Sequence, residues 1–250
     1  MSGHSKWSQI KRQKGANDAK RGAVFTKIAR EISISAREGG GDPDANYRLR
    51  LAMEKARSVN MPAENIKRAI EKAAGGSAAE QYEEIVYEGY GPGGVAILVE
   101  AATDNRNRTA ADVRAMFTKN GGQLGGAGAV AWQFEPRGVV VVARNGHDPD
   151  DIALAAIDAG ADDVDTESDP IEVLTDPGNL ESLRTTLEGT GVKVESAEVT
   201  MQPKTPIEVD EHVARQNLRL MEALDDLDDV QRVTANFDLP AEILAEVAAI

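Results

Sequence analysis

The chain has 250 residues, 41% of them hydrophobic and 4% aromatic, and its 28 Lys and Arg are outweighed by 42 Asp and Glu, for a net charge of −14. Cysteine is absent, which excludes disulfides and thiolate metal sites. No apolar run approaches the roughly 20 residues that cross a bilayer, and no apolar stretch follows the N-terminal lysines, so we expect a cytoplasmic protein with no membrane partner.

Positive charge is concentrated at the N-terminus. Between Met1 and Arg37 there are nine basic side chains and two acidic ones. Residues 1–76 carry 16 Lys and Arg against 8 Asp and Glu, a net charge of +8, whereas the rest carries 12 against 34, a net charge of −22. A basic pole on an acidic protein is typical of phosphate binding, although a solvated terminus can have the same composition.

Apolar periodicity predicts three helices in this basic part. Residues up to about 15 lack periodicity and are predicted to form a mobile arm. From residue 17, an apolar face forms opposite a basic face that contains Lys20, Lys27, Arg30 and Arg37. Two further helices are predicted over residues 49–56 and after Pro62. We therefore expect a basic arm and helical domain over residues 1–78.

Strands and helices alternate in the rest of the chain. Residues 138–199 follow the order β-α-β-β-α-β, the split βαβ unit of ferredoxin-like folds. The flanking segments repeat this unit, with strands predicted at 94–101, 130–134, 206–209 and 231–237 and helices at 106–119 and 212–227. The sequence thus predicts an α+β fold in which the helical domain precedes two ferredoxin-like α/β domains, one inserted in the other. Residues 79–135 and 204–250 form the first, and residues 136–203 form the inserted one.

Nucleic-acid binding is predicted for the basic arm and the first helix, at Lys6, Trp7, Lys11, Arg12, Lys14, Lys20, Arg21, Lys27 and Arg30. Lys20, Lys27 and Arg30 are expected to be exposed because they lie opposite the apolar face. Trp7 has two interpretations, stacking on a base or anchoring the arm to the helices.

Two glycine-rich segments are interpreted as bends. The pattern GYGPGG at residues 89–94 matches a dinucleotide motif, but it precedes a strand and contains a proline, which indicates a turn. Residues 121–128 also precede a predicted strand and lack the Lys-Ser/Thr ending of a phosphate loop.

A third segment joins a strand to a helix. In Asp104–Arg108, Asp104 or Asn105 is expected to cap the helix, and Arg106 and Arg108 are candidates for an accessory anion contact.

No pattern indicates catalysis or metal binding. His4, His147 and His212 have no metal-ligand partner three or four residues away, and none is visibly paired with a nucleophile. We predict no catalytic residue, no metal, no cofactor and no small-molecule substrate.

Several motifs together resemble the YebC/PmpR family over essentially the full chain. They are GHSKW at 3–7, DAKRG at 18–22, GGGDP at 39–43, NMPAENI at 60–66, YEGYGP at 87–92, TDNRNRT at 103–109 and DDVQ at 228–231. That family includes probable transcriptional regulators and the mitochondrial translational activator of cytochrome c oxidase. The resemblance implies a helical N-terminal domain, two α/β domains, a cytoplasmic location and no enzymatic activity.

Two functions are compatible with these observations. The first is a DNA-binding transcriptional regulator, and the second is a ribosome-associated translation factor that binds rRNA or tRNA and relieves stalling at proline-rich stretches. The sequence does not separate DNA from RNA, because phosphate contacts are alike in both. It also leaves the oligomeric state open.

Overall fold

A computed structural model describes residues 18–74, 82–240 and 243, with side chains described from Gly22 onward except at Ala74. The chain divides into two compact units. One consists of residues 134–204, and the other contains the segments on either side of it.

The helical domain consists of α1 (Asp18–Gly39), α2 (Tyr47–Ser58) and α3 (Ala63–Ala74). One face of each helix contributes to a shared core, in which Ile32, Leu49 and Ile66 are buried. Asn46 caps α2 through its side-chain oxygen and also donates from Nδ2 to the carbonyls of Ser35 and Gly40. Gly39 allows this close approach, because a Cβ there would lie 2.6 Å from Nδ2 of Asn46.

An antiparallel sheet in the same unit has the strand order β3-β1-β2-β8. Its strands are β1 (Glu83–Tyr90), β2 (Ala96–Thr103), β3 (Gln123–Leu124) and β8 (Val230–Ala235). The helices α4 (Arg106–Lys119) and α7 (Glu211–Asp225) contribute to the core that covers one face, where Phe117 and Leu220 are fully buried. Because β2 and β8 pair directly, segments from both sides of residues 134–204 build one sheet.

Two strand predictions in this sheet are wrong, and one strand was not predicted. β1 occupies a central position that was not predicted, while the strand expected at 206–209 is reduced to a single bridge between Ile207 and Phe237. The strand expected at 130–134 is a 3₁₀ turn, Ala131–Gln133, followed by a strand that begins at Phe134. The amides of Val130 and Ala131 donate to the carboxylate of Glu88 and are therefore not available to pair with a strand.

The second unit follows the predicted β-α-β-β-α-β order. Its antiparallel sheet, β5-β6-β4-β7, contains β4 (Phe134–Ala143), β5 (Asp163–Asp165), β6 (Ile171–Thr175) and β7 (Lys193–Pro203). The helices are α5 (Pro149–Asp158) and α6 (Leu180–Gly189). The predicted α+β class is confirmed, since a helical region precedes two antiparallel sheets; the exact domain boundaries stay predictions.

Candidate nucleic-acid interface

The predicted binding residues divide into three groups in the structure. Lys6, Trp7, Lys11, Arg12 and Lys14 lie outside the described residues. Lys20 and Arg21 belong to the first turn of α1, where the backbone alone is described. The side chains of Lys27 and Arg30 are described, and they lie against the α/β domain of the same unit.

Lys27 and Arg30 bind the segment in which α7 ends and β8 begins. Nζ of Lys27 donates to the carbonyl of Asp225, the last residue of α7, where the helix dipole favours a cation. Nη1 of Arg30 donates to the carbonyl of Asp228 and lies 3.0 Å from Oδ1 of Asp229. The Arg30 side chain is only 12% exposed. The expectation that these two cations face solvent is therefore corrected: they hold α1 to the α/β domain.

The carboxylate of Asp229 binds side chains from α1, β2 and α4. We call this group the Asp229 cluster, and it consists of Arg30, Thr103, Arg108, Thr109 and Asp229. Its Oδ2 accepts from Thr109 Oγ1 and Arg108 Nη2, both at 2.7 Å, and from Thr103 Oγ1 at 3.2 Å. Burial raises the pKa of Asp229, but the hydrogen bonds from Arg108 and Thr109 and the charge of Arg30 outweigh it. The pKa consequently lies below its ordinary value of 3.8.

The two candidates for an accessory anion contact have different environments. Nη2 of Arg108 is bonded to Asp229 and, at 2.8 Å, to Oδ1 of Asp104, so two carboxylates raise its pKa and balance its charge. The side chain of Arg106 is 68% exposed, with its Nε 3.8 Å from Oε1 of Glu83. Asn105 caps α4 by accepting from the amide of Arg108, which confirms the predicted cap.

The first glycine-rich segment is a bend, as predicted, whereas the second contains the short strand β3 between Gly121 and Gly128, both at positive φ. Residues 91–95 close the β1–β2 hairpin, with Gly93 and Gly94 at positive φ. In the second segment the amide of Gly128 donates to Glu88, as do those of Val130 and Ala131, at 2.6–2.7 Å. Burial raises the pKa of Glu88, but these three hydrogen bonds bring it below its ordinary 4.5. The loop thus binds a carboxylate of the protein itself.

Sequence reasoning overlooked the cations of α3. Lys67, Arg68 and Lys72 are all exposed, and Lys67 pairs with Glu71 at 3.7 Å. Arg68 makes no hydrogen bond or ion pair with the described part of the chain. The i, i+4 spacing of Arg68 and Lys72 places both on one side of the helix. The i, i+4 spacing of these two cations is visible in the sequence beside the apolar stripe of the same helix.

The described residues contain neither a metal-binding group nor a membrane-spanning helix. No group of three or more His, Asp or Glu side chains among them is arranged to hold a metal ion. None of the helices within residues 18–74 and 82–240 has the length and hydropathy needed to span a bilayer.

Comparison with known proteins covers nearly the whole chain. A family model described as the TACO1/YebC protein N-terminal domain matches residues 5–76, and one described as the TACO1/YebC second and third domain matches residues 82–237. A probable transcriptional regulatory protein from Rubrobacter xylanophilus is 53% identical over 249 residues, which cover 99% of this chain and all of that one. One from Chloroflexus aurantiacus is 56% identical over 252 residues and the full length of both chains.

A solved structure shows a similar fold. The crystal structure of a conserved hypothetical protein, Aq1575 from Aquifex aeolicus, superposes with a TM-score of 0.85. Its sequence is 46% identical, and the match covers 91% of this chain and 94% of that one.

Proposed function

This chain belongs to the TACO1/YebC family, and from that membership we propose that it is a non-enzymatic, DNA-binding transcriptional regulator. Its curated relatives from several bacteria are named probable transcriptional regulatory proteins. We also propose that it acts in the cytoplasm without a cofactor. Family membership supports the class of function, and the distribution of charge along the chain supports the position of the binding surface.

The observation that carries the binding surface is the division of charge along the chain. A net charge of +8 on residues 1–76 stands against −22 on the rest, so a polyanion is attracted to one end and repelled by the other. Lys27 and Arg30 have protein partners, so we assign them to positioning α1 and propose that other cations contact phosphate. The proposed phosphate contacts are therefore the arm cations, the first turn of α1 and the exposed cations of α3: Lys6, Lys11, Arg12, Lys14, Lys20, Arg21, Arg68 and Lys72.

The acidic remainder supports a second candidate, a ribosome-associated translation factor. A net charge of −22 repels a bare duplex but complements basic protein surfaces, such as those that ribosomal proteins expose. In this case the basic end would bind rRNA or tRNA through the same phosphate contacts. Sedimentation of a lysate separates the two: co-migration with ribosomes that is lost at high salt supports the second candidate, and its absence supports the first.

Direct binding of nucleic acid is tested with the full-length protein by fluorescence anisotropy on labelled DNA and RNA duplexes. For about five phosphate contacts, the slope of log affinity against log salt lies near −3.5 to −4.5. Replacing Lys11, Arg12 and Lys14 with alanine should reduce the magnitude of a B-DNA slope by about 2.7, at about 0.9 for each contact.

A matched control removes three exposed cations elsewhere, Arg114, Lys119 and Lys193. This variant has the same net charge as the arm variant, so a local binding surface predicts that its slope remains at the wild-type value. Equal slopes for the two variants would contradict the N-terminal surface, and no binding by the wild type would contradict nucleic-acid binding itself.

A further inference from the structure

A cleft of about 350 Å³ opens in the helical domain between α1 and α3, with Tyr82 on one side. Phe25, Ala29, Met61 and Ala69 give it an apolar floor. This volume is at the low end of the range for small-ligand sites, which is roughly 300–1,000 Å³, and is far too small for a protein helix. The cleft accepts something of the size of a single nucleotide.

The lining combines aromatic rings with positive charge. Arg30, Arg68 and Lys72 line the cleft, and none of the described residues that line it is acidic. A ligand that contains both a flat ring and a negatively charged group fits this lining. Aromatic side chains bind bases by stacking, and guanidinium groups bind phosphate. The charge also disfavours an apolar peptide as the occupant, since Arg68 would lose water without gaining a partner.

Arg30 connects this cleft to the Asp229 cluster. Its guanidinium carbon lies 5.4 Å from the centroid of the Tyr82 ring, while Nη1 is held by Asp229 and the carbonyl of Asp228. Its buried Nε has no hydrogen-bond partner among the described residues. The guanidinium is thus fixed in place before any ligand arrives.

We propose that this cleft binds one unstacked nucleotide, with its base against the aromatic rings and its phosphate beside Arg68 and Lys72. This inference rests on the proposed function, because it assigns one site within the nucleic-acid surface. Such a site distinguishes nucleic acid with an unpaired nucleotide from a perfect duplex, which phosphate contacts alone do not do. Nucleic acid with an unpaired nucleotide binds more tightly than a perfect duplex, because the base of a perfect duplex must first leave its stack.

The test uses the full-length protein and two DNA hairpins that differ by one nucleotide. One hairpin is a perfect duplex, and the other carries a single bulged 2-aminopurine, whose fluorescence falls when it stacks on an aromatic ring. The wild type should bind the bulged hairpin about 5- to 150-fold more tightly, which corresponds to stacking one base, and should quench its fluorescence.

Three variants probe the cleft by different means. Tyr82→Leu removes a ring, Arg68→Ala removes a cation, and Ala29→Leu fills the floor. Each should reduce the preference for the bulged hairpin toward unity and restore the fluorescence. Arg57→Ala is the matched control for Arg68→Ala, because Arg57 is an exposed arginine of the same helical domain that does not line the cleft. Its preference should equal that of the wild type.

The outcomes separate the cleft from the proposed function. If the wild type binds both hairpins equally, or if Tyr82→Leu and Arg68→Ala keep the preference, the cleft assignment is wrong while the nucleic-acid function stands. If the wild type binds neither hairpin, the proposed function fails and the cleft assignment with it. A melting temperature for each variant identifies loss of fold, and Arg68→Ala, at an exposed position, keeps the test valid if Ala29→Leu does not fold.

Discussion

Replacing Asp229 with asparagine should destabilise the unit that contains the helical domain, because this carboxylate connects α1, β2 and α4. Asparagine preserves the shape and one acceptor oxygen, so Thr103 and Thr109 keep a partner. The negative charge that faces Arg30 and Arg108 is lost. The cost therefore depends mainly on how buried each of these two arginines is.

The two arginines differ in exposure, and this difference gives the magnitude. The side chain of Arg108 is 47% exposed and retains Asp104, so water and the second carboxylate replace most of what it loses. The side chain of Arg30 is 12% exposed and, among the described residues, keeps the carbonyl of Asp228 and the ring of Tyr82 as partners. Leaving a buried charge unpaired costs about 3–5 kcal/mol, and the remaining carbonyl places the expected loss near the lower end, about 3 kcal/mol.

Thermal unfolding measures this loss. For a protein of this size, about 3 kcal/mol corresponds to a decrease in melting temperature of roughly 6–12 °C. Asp228→Asn is the control, because Arg30 contacts the backbone of Asp228 and the exposed side chain has no such role. It should shift stability by no more than about 0.5 kcal/mol.

A second variant tests the cause. Arg30→Met combined with Asp229→Asn removes the charge that the single substitution leaves unpaired, so the double variant should be more stable than the sum of the two single effects predicts. Equal melting temperatures for Asp229→Asn and Asp228→Asn would refute this account of the Asp229 cluster.

Three further outcomes follow from the same structure. The pKa values of Glu88 and Asp229 are depressed in the folded state, so both carboxylates stabilise the fold fully above their ordinary values of 4.5 and 3.8. This stability is lost as the pH falls through the lower folded values, and Glu88→Gln should weaken the acid dependence in a melting-temperature series. Gly89→Ala should destabilise by about 1–3 kcal/mol in thermal unfolding, since its Cβ would lie 2.7 Å from the Phe117 ring, and a neutral result would mean that the ring moves freely. Trp7→Ala should lose about 1–3 kcal/mol of binding in anisotropy if Trp7 stacks on a base, whereas a lower melting temperature with unchanged affinity would indicate packing.

The sequence predicted the helices better than the strands, for local reasons. Apolar periodicity identified the helices that build the described cores, and the inserted unit followed its predicted order. β1 was missed because Glu83, Glu84 and Glu88 interrupt its alternation, although Glu88 is buried and satisfied by the amides of a distant loop. Residues 130–134 look apolar enough for a strand, but those same amides are the ones that Glu88 engages.

The contacts made by the candidate site residues were harder to predict from the sequence than the fold. The sequence predicted correctly that Lys27 and Arg30 lie away from the apolar face of α1, and it could not predict what they contact. Their partners are 198 residues away in the chain, beyond any local pattern. The cleft depends on three separate segments that meet only in the folded protein, so no spacing in the sequence indicates it.

The 198-residue separation between α1 and its partners also imposes an order in time during synthesis. At about 5–20 residues per second, Lys27 and Arg30 emerge roughly 10–40 seconds before Asp225 and Asp228 exist. During that interval α2 and α3 can already pack against α1. The edge of β2 that pairs with β8 in the folded protein stays unpaired until β8 has been made. The nascent chain therefore presents two cations that the folded protein covers only after Asp225 and Asp228 have been made.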